Sequence, residues 1–221
     1  MQGVSFLLPI EFDLAATFFA AVTGAWAASR RGYDLVGAFM LALVTSIGGG
    51  LLRDAVFIAQ VPLAMQDARY LWTILAALVV GTFTYRYSER IAHLFSYTDA
   101  LAMGVYGVYG ANWALISGLA PAAAVIVGVC NAVGGGLIRD VLVREEPLMF
   151  KPGQLYAIAA MAGCVLFVTL SELYGVEDQQ AAWIAIIVTL VVRVLAIRFN
   201  WTTAAVKSWK WPWRRGKDPG P

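Results

Sequence analysis

Two ten-residue stretches hold the residues best able to do chemistry: SIGGGLLRDA at residues 46–55 and AVGGGLIRDV at residues 132–141. Each places three glycines inside an apolar run and follows them with an arginine and an aspartate. Glycine lowers helix stability by up to about 1 kcal/mol relative to alanine. Gly48, Gly49 and Gly50, and likewise Gly134, Gly135 and Gly136, are therefore expected to let a helix kink or break. Carbonyls freed there can replace part of an ion's hydration shell. Thr45, Ser46 and Asn131 add polar groups just before the triplets or at their edge. Arg53 with Asp54, and Arg139 with Asp140, are either structural ion pairs or polar groups bordering a watery path. Neighbours on a helix point about 100° apart, so each arginine is expected to pair with a carboxylate elsewhere. Asp13 and Asp99, expected at the starts of the first and fourth helices, are the candidates; helix capping is their plainer role. Close helix packing is the plainer role of the glycines.

Other chemistry is excluded by what is missing. The stretch GGGLLRD lacks the lysine and Ser/Thr of a phosphate-binding loop, and no strand precedes it. His93 is the only histidine, and Cys130 and Cys164 sit singly in apolar segments. No nucleophile–base pairing and no structural metal site follow from these residues, so neither an enzyme nor a bound cofactor is expected.

The elements that position these residues are set by hydropathy. Of 221 residues, 60% are hydrophobic and 14% charged, with mean hydropathy +0.71, more apolar surface than a water-soluble domain can bury. Charge-free intervals run from Asp13 to Arg30, Asp34 to Arg53, Arg69 to Arg86, Lys151 to Glu172 and Asp178 to Arg193. Each suits one membrane helix of about 17–25 residues. A further interval of 39 uncharged residues between Asp99 and Arg139 holds two spans, with turn residues in NWALISGLAP. Seven helices result. Glu11 and Asp13 interrupt the first apolar stretch, and no basic region precedes it, so no cleavable signal is expected.

Charge placement orients the chain. Arg30, Arg31, Arg86, Arg90, Arg144, Lys151 and the tail KSWKWPWRRGK fall on one face; Arg53, Arg69 and the acidic Glu172, Glu177 and Asp178 fall on the other. The positive-inside rule then puts the N terminus outside and the C terminus in the cytoplasm. Trp209, Trp211 and Trp213, alternating with basic residues, suit an anchor on anionic lipid better than a nucleic-acid patch.

The two stretches are copies. One offset of 86 residues, needing no gap, pairs Asp13 with Asp99, Val22 with Val108, Arg53-Asp54 with Arg139-Asp140 and Tyr70 with Tyr156. The expected domain is a single membrane unit at 1–200. Repeat one lies at about 12–87, repeat two at about 98–173 and a seventh helix at about 179–199; a basic, Trp-rich tail occupies 201–221. Three helices per copy is odd, so the copies enter the membrane inverted, an architecture that sets pathways near the midplane.

Seven helices in a 3+3+1 order, with GGGLLRD and GGGLIRD in helices two and five, resemble the trimeric intracellular cation (TRIC) channel family in its bacterial branch. The resemblance implies an all-α protein of the bacterial inner membrane, a homotrimer with one pore per protomer. That pore would be lined by the glycine-kinked helices two and five and selective for monovalent cations, potassium first and sodium second. Transient potassium would sit near the kinks, with the Arg-Asp pairs bordering the path and membrane lipids around it. The Lys-Glu-Val signature of animal members is absent. A secondary transporter of glycine or another small amino acid uses the same broken helices and inverted repeats, and a non-transporting structural protein would use the glycines for packing alone.

Overall fold

The computed structural model describes residues 10–87, 92–150 and 155–201. The tail, the first nine residues, Arg90, Lys151 and the side chain of His93 lie outside that description. The described residues form α1 (Ile10–Arg30), α2 (Leu35–Leu51), α3 (Leu63–Gln66), α4 (Ala68–Thr84), α5 (Ala92–Ile116), α6 (Pro121–Leu142), α7 (Tyr156–Val168) and α8 (Asp178–Arg198), with no strand among them. Seven are long; α3 is a single turn between the second and third. α2 runs on into a π-helical segment, Leu52–Ile58, and α7 into another, Thr169–Leu173.

Local chemistry sets the boundaries. Asp34 caps α2, its carboxylate accepting from the Gly37 N–H at 2.7 Å, and Asp67 caps α4 by accepting from the Arg69 N–H at 2.8 Å. Hydrogen bonds from the Arg69 side chain hold the half-buried Asp67 carboxyl below its usual range. Pro121 occupies the first turn of α6, where its missing N–H is harmless. Gly118, at φ +82°, makes the sharp reversal from α5 to α6.

Among the described residues, four stretches are long and apolar enough to cross a membrane: Leu35–Ile58, Pro121–Leu142, Tyr156–Leu173 and Asp178–Arg198. Trp72, Phe83, Ile126 and Ile187 are exposed on the outside of the bundle, the arrangement of a protein solvated by lipid. In repeat one, α1 packs along α2 and α4; in repeat two, α5 packs along α6 and α7. The repeats join through α2 against α6 and α1 against α5, while α8 covers α5 and α7 and, among the described residues, has no counterpart on repeat one. Arg31, after α1, bonds Glu145, after α6, at 2.7 Å, so these two loops share a face. Leu63, Leu119 and Val176, from the alternate loops, pack on one cluster around Phe167 at the opposite end. Inverted insertion requires this segregation of loops.

The ungapped repeat needs one correction. The offset of 86 holds as far as Asp54 and Asp140, but the left-handed residues that end the two helices, Ala59 and Arg144, lie 85 apart. The Gln60 N–H bonds the Asp54 carbonyl, and the Glu145 N–H bonds the Asp140 carbonyl, both at 2.8 Å, again 85 apart. Repeat one thus carries one extra residue, absorbed as the π-helical turns of Leu52–Ile58. A π-bulge is what one residue inserted into an α-helix produces. The register returns to 86 at Tyr70 and Tyr156.

Candidate functional site

The glycine triplets do not open their helices. α2 stays α-helical through Leu51 and α6 through Leu142, and the Leu52 N–H bonds the Gly48 and Gly49 carbonyls. The expectation of a break with free carbonyls is corrected, because the triplets meet each other. A Cβ on Gly49 would strike the Asn131 carbonyl, and one on Gly135 would strike the Thr45 carbonyl. Thr45 and Asn131 are themselves equivalent, so two symmetric contacts bring α2 and α6 to backbone distance, as small residues do between membrane helices. A Cβ on Gly134 would lie 3.1 Å from the Gly49 Cα, and one on Gly48 would lie 3.5 Å from the Gly135 Cα. The third glycine of each triplet differs. A Cβ on Gly50 meets nothing nearer than an Arg53 nitrogen at 3.9 Å, and one on Gly136 nothing nearer than 3.8 Å.

Both third glycines face cavities. A central cavity of about 30 Å³ is lined by Thr45, Ser46, Gly50, Tyr106, Asn131 and Gly136 and extends to Asp99, Arg139 and Tyr156. A second, of about 20 Å³, is lined by Asp13, Thr17, Arg53, Asp54 and Tyr70, and shares Ser46, Gly50, Tyr106 and Asn131 with the first. A smaller third, lined by Gly136, Arg139, Asp140 and Tyr156, is the repeat-two counterpart of the second. Volumes of this order accept a small cation and about one or two waters.

The charges are paired differently from the sequence expectation. Arg53 bonds its neighbour, Nε to Asp54 Oδ1 at 2.5 Å and Nη2 to Oδ2 at 2.8 Å, and Arg139 bonds Asp140 at 2.8 Å. The long arginine side chain folds back across the angle between adjacent positions, and each aspartate also accepts from a backbone N–H beyond the helix end. Asp54 Oδ2 accepts from the Leu63 N–H at 3.0 Å, and Asp140 Oδ2 from the Leu148 N–H at 3.3 Å. Each guanidinium also reaches the first helix of the other repeat at equivalent positions. Arg53 lies 5.0 Å over the Tyr109 ring, and Arg139 donates to Thr23 Oγ1 at 2.9 Å. The pairs therefore bolt the repeats together while bordering the cavities.

Asp13 and Asp99 are not caps. Asp13 is in the first turn of α1 but buried, accepting from the Tyr70 hydroxyl. Asp99 lies two turns inside α5, which begins at Ala92, with the Tyr156 hydroxyl as its partner. Tyr70 and Tyr156 were visible in the sequence only as a repeat pair; a buried tyrosine needs a partner for its hydroxyl, and the equivalent acid supplies it. Arg193 on α8 is buried, 4.8 Å over the Tyr156 ring and electrostatically coupled to Asp99. Lying outside the repeat, it had no signal beyond a charge in an apolar helix.

A profile of the family described as Glycine transporter matches residues 11–86 and again residues 96–172. The UPF0126 inner membrane protein YadS of Escherichia coli (strain K12) is 30% identical over 203 residues, 88% of this chain and 94% of that one. A structure solved to explain conductance through TRIC cation channels is 29% identical and superposes with TM-score 0.83, covering 90% of this chain and 97% of its own. The TRIC trimeric intracellular cation channel orthologue from Rhodobacter sphaeroides is 30% identical with TM-score 0.75, covering 90% of this chain and 99% of that one. The chain belongs to the bacterial branch of the TRIC family. Its structural matches support a cation channel in a membrane. Within this TRIC chain no group of three or more His, Cys, Asp or Glu side chains able to hold a metal ion occurs among the described residues.

Proposed function

We propose that each chain forms its own pore for monovalent cations, potassium before sodium, and that three chains assemble as a homotrimer in the bacterial inner membrane. The path runs from the Asp13 cavity to the Asp99 cavity past the α2–α6 crossing, lined by Thr45, Ser46, Gly50, Asn131 and Gly136. The observation that carries this reading is the pair of polar cavities on either side of one wall, each holding an aspartate and an arginine already neutralised by its neighbour. Neutralising the arginines matters because an uncompensated guanidinium beside the path would repel cations. Gly48, Gly49, Gly134 and Gly135 hold the crossing together; Gly50 and Gly136 leave it open. The N terminus lies outside, and the basic tail at 201–221 anchors on anionic lipid at the cytoplasmic face.

A glycine carrier is the second reading, favoured by the description of the matching family profile. Cavities of about 30 and 20 Å³ suit an ion better than an amino-acid zwitterion. Purified protein in liposomes separates the two. Under the channel reading a potassium gradient collapses far faster than in empty vesicles, while labelled glycine enters no faster. Saturable glycine uptake without potassium flux would overturn it.

A further inference from the structure

Four residues line both principal cavities: Ser46, Gly50, Tyr106 and Asn131. Any species moving between the cavities passes them. Asn131 is 3% exposed; its Nδ2 donates to the Tyr106 carbonyl at 2.6 Å, while its Oδ1 has no hydrogen-bond partner. An amide whose donor is fixed and whose acceptor is free is an oriented dipole with its negative end unused, and leaving a buried acceptor unsatisfied costs about 1–3 kcal/mol. The Ser46 hydroxyl spends its one hydrogen on the backbone, donating to the Ala42 and Leu43 carbonyls at 2.9 and 3.0 Å, and keeps lone pairs to offer. The Tyr106 hydroxyl shares a hydrogen bond with Thr17 at 2.8 Å and donates to the Ser46 carbonyl at 3.3 Å.

We infer that these groups form a single seat for a partly dehydrated monovalent cation, with Asn131 Oδ1 as its principal ligand and the Ser46 and Tyr106 hydroxyl oxygens beside it. The inference rests on the channel reading and names the step within that path where the ion is held. Neutral amide and hydroxyl oxygens suit a monovalent ion. Protein sites for divalent ions characteristically include direct carboxylates among six or more oxygen ligands, and the carboxylates here, Asp13 and Asp99, stand back in the two flanking cavities.

The seat exists once per chain because the repeats differ at each of its members. Asn131 corresponds to Thr45, whose hydroxyl donates to the Leu41 carbonyl at 2.6 Å; Ser46 corresponds to Ala132 and Tyr106 to Ala20. The symmetric frame is kept, and the ligands are concentrated on one side of it. Gly110 is part of the same construction, since a Cβ there would meet the Asn131 Cβ at 2.7 Å. Glycine at that position makes room for the asparagine.

Two variants borrow from the repeat itself and so have a precedent for fitting: Asn131→Thr and Ser46→Ala. Each is purified, checked for assembly against the parent, and measured for potassium flux in liposomes and for thermal stabilisation by potassium against a bulky organic cation in detergent. Loss of one neutral oxygen ligand should raise the half-saturating potassium concentration about tenfold, a change equal to ~1.4 kcal/mol. It should also shrink the potassium-dependent rise in melting temperature and flatten the preference among potassium, sodium and caesium. Well-assembled Asn131→Thr protein with unchanged saturation, selectivity and stabilisation would overturn the seat while leaving the channel intact. A parent that carries no current would sink the channel reading instead; potassium-dependent stabilisation lost in Asn131→Thr would still support a cation seat, and its absence in the parent would overturn that too.

Discussion

Asp54 and Asp140 hold equivalent positions but not equivalent environments. The Arg53–Asp54 pair is almost wholly withdrawn from solvent, each side chain 4% exposed, whereas Arg139 and Asp140 are 15% and 8% exposed. Each arginine has a second aspartate nearby, Asp13 for Arg53 and Asp99 for Arg139, but Arg139 donates a hydrogen bond to Thr23 where Arg53 lies over the Tyr109 ring. Removing one member of a buried ion pair strands the other, at about 3–5 kcal/mol. Asp54→Asn should therefore destabilise the protein by about 3 kcal/mol and Asp140→Asn by less, read as the loss of melting temperature in detergent. Both should lower potassium flux more at low than at high ionic strength, because the uncovered guanidinium is least screened there; salt-independent flux would make the pairs purely structural. The importance of both pairs was legible from the duplication of Arg-Asp after each triplet. Their partners were not. A 100° separation on a helical wheel ignores the length of an arginine side chain, and the backbone N–H groups of Leu63 and Leu148 that fix the aspartates lie beyond the helix ends.

Helices two and five carry the same three glycines for two purposes. Gly49 and Gly135 are pressed against opposite backbone, so a methyl group cannot be accommodated without separating α2 from α6. Gly50 and Gly136 have space for one. Gly49→Ala and Gly135→Ala should each cost about 1–3 kcal/mol through overpacking, while Gly50→Ala should fold as well as the parent and Gly136→Ala nearly so; equal melting temperatures across the four would refute this division. Hydropathy located the long helices, the loops and the inversion, because apolar runs and charge-free intervals report directly on burial in lipid. Two features escaped it. The continuity of α2 and α6 through the triplets comes from packing between the helices, a tertiary effect that outweighs intrinsic propensity. The extra residue of repeat one is silent in an ungapped alignment because the following loop removes it before Tyr70; the left-handed residues and hydrogen bonds at the helix exits expose it.

The whole molecule is a frame with approximate two-fold symmetry and an asymmetric interior. Its crossing helices, Arg-Asp pairs and Asp-Tyr pairs follow the duplication, whereas the groups at the junction of the cavities, and the α8 arginine beside Asp99, do not. Symmetry could be read from one sequence by setting it over itself. Asymmetry could not, because Asn131, Ser46 and Tyr106 are separated along the chain and gain meaning only where α2, α5 and α6 converge. The central claim is that ions pass this convergence within each protomer. It is tested most directly by single-channel recording from Gly50→Cys protein in a Cys130→Ala, Cys164→Ala background, with a water-soluble cationic thiol reagent added. A thiol at residue 50 has room to stand in the wall shared by the cavities. The account predicts irreversible loss of potassium current in three equal steps, one per protomer, with no effect on the cysteine-free parent. Full potassium current that persists after prolonged exposure to the reagent from both sides would contradict it.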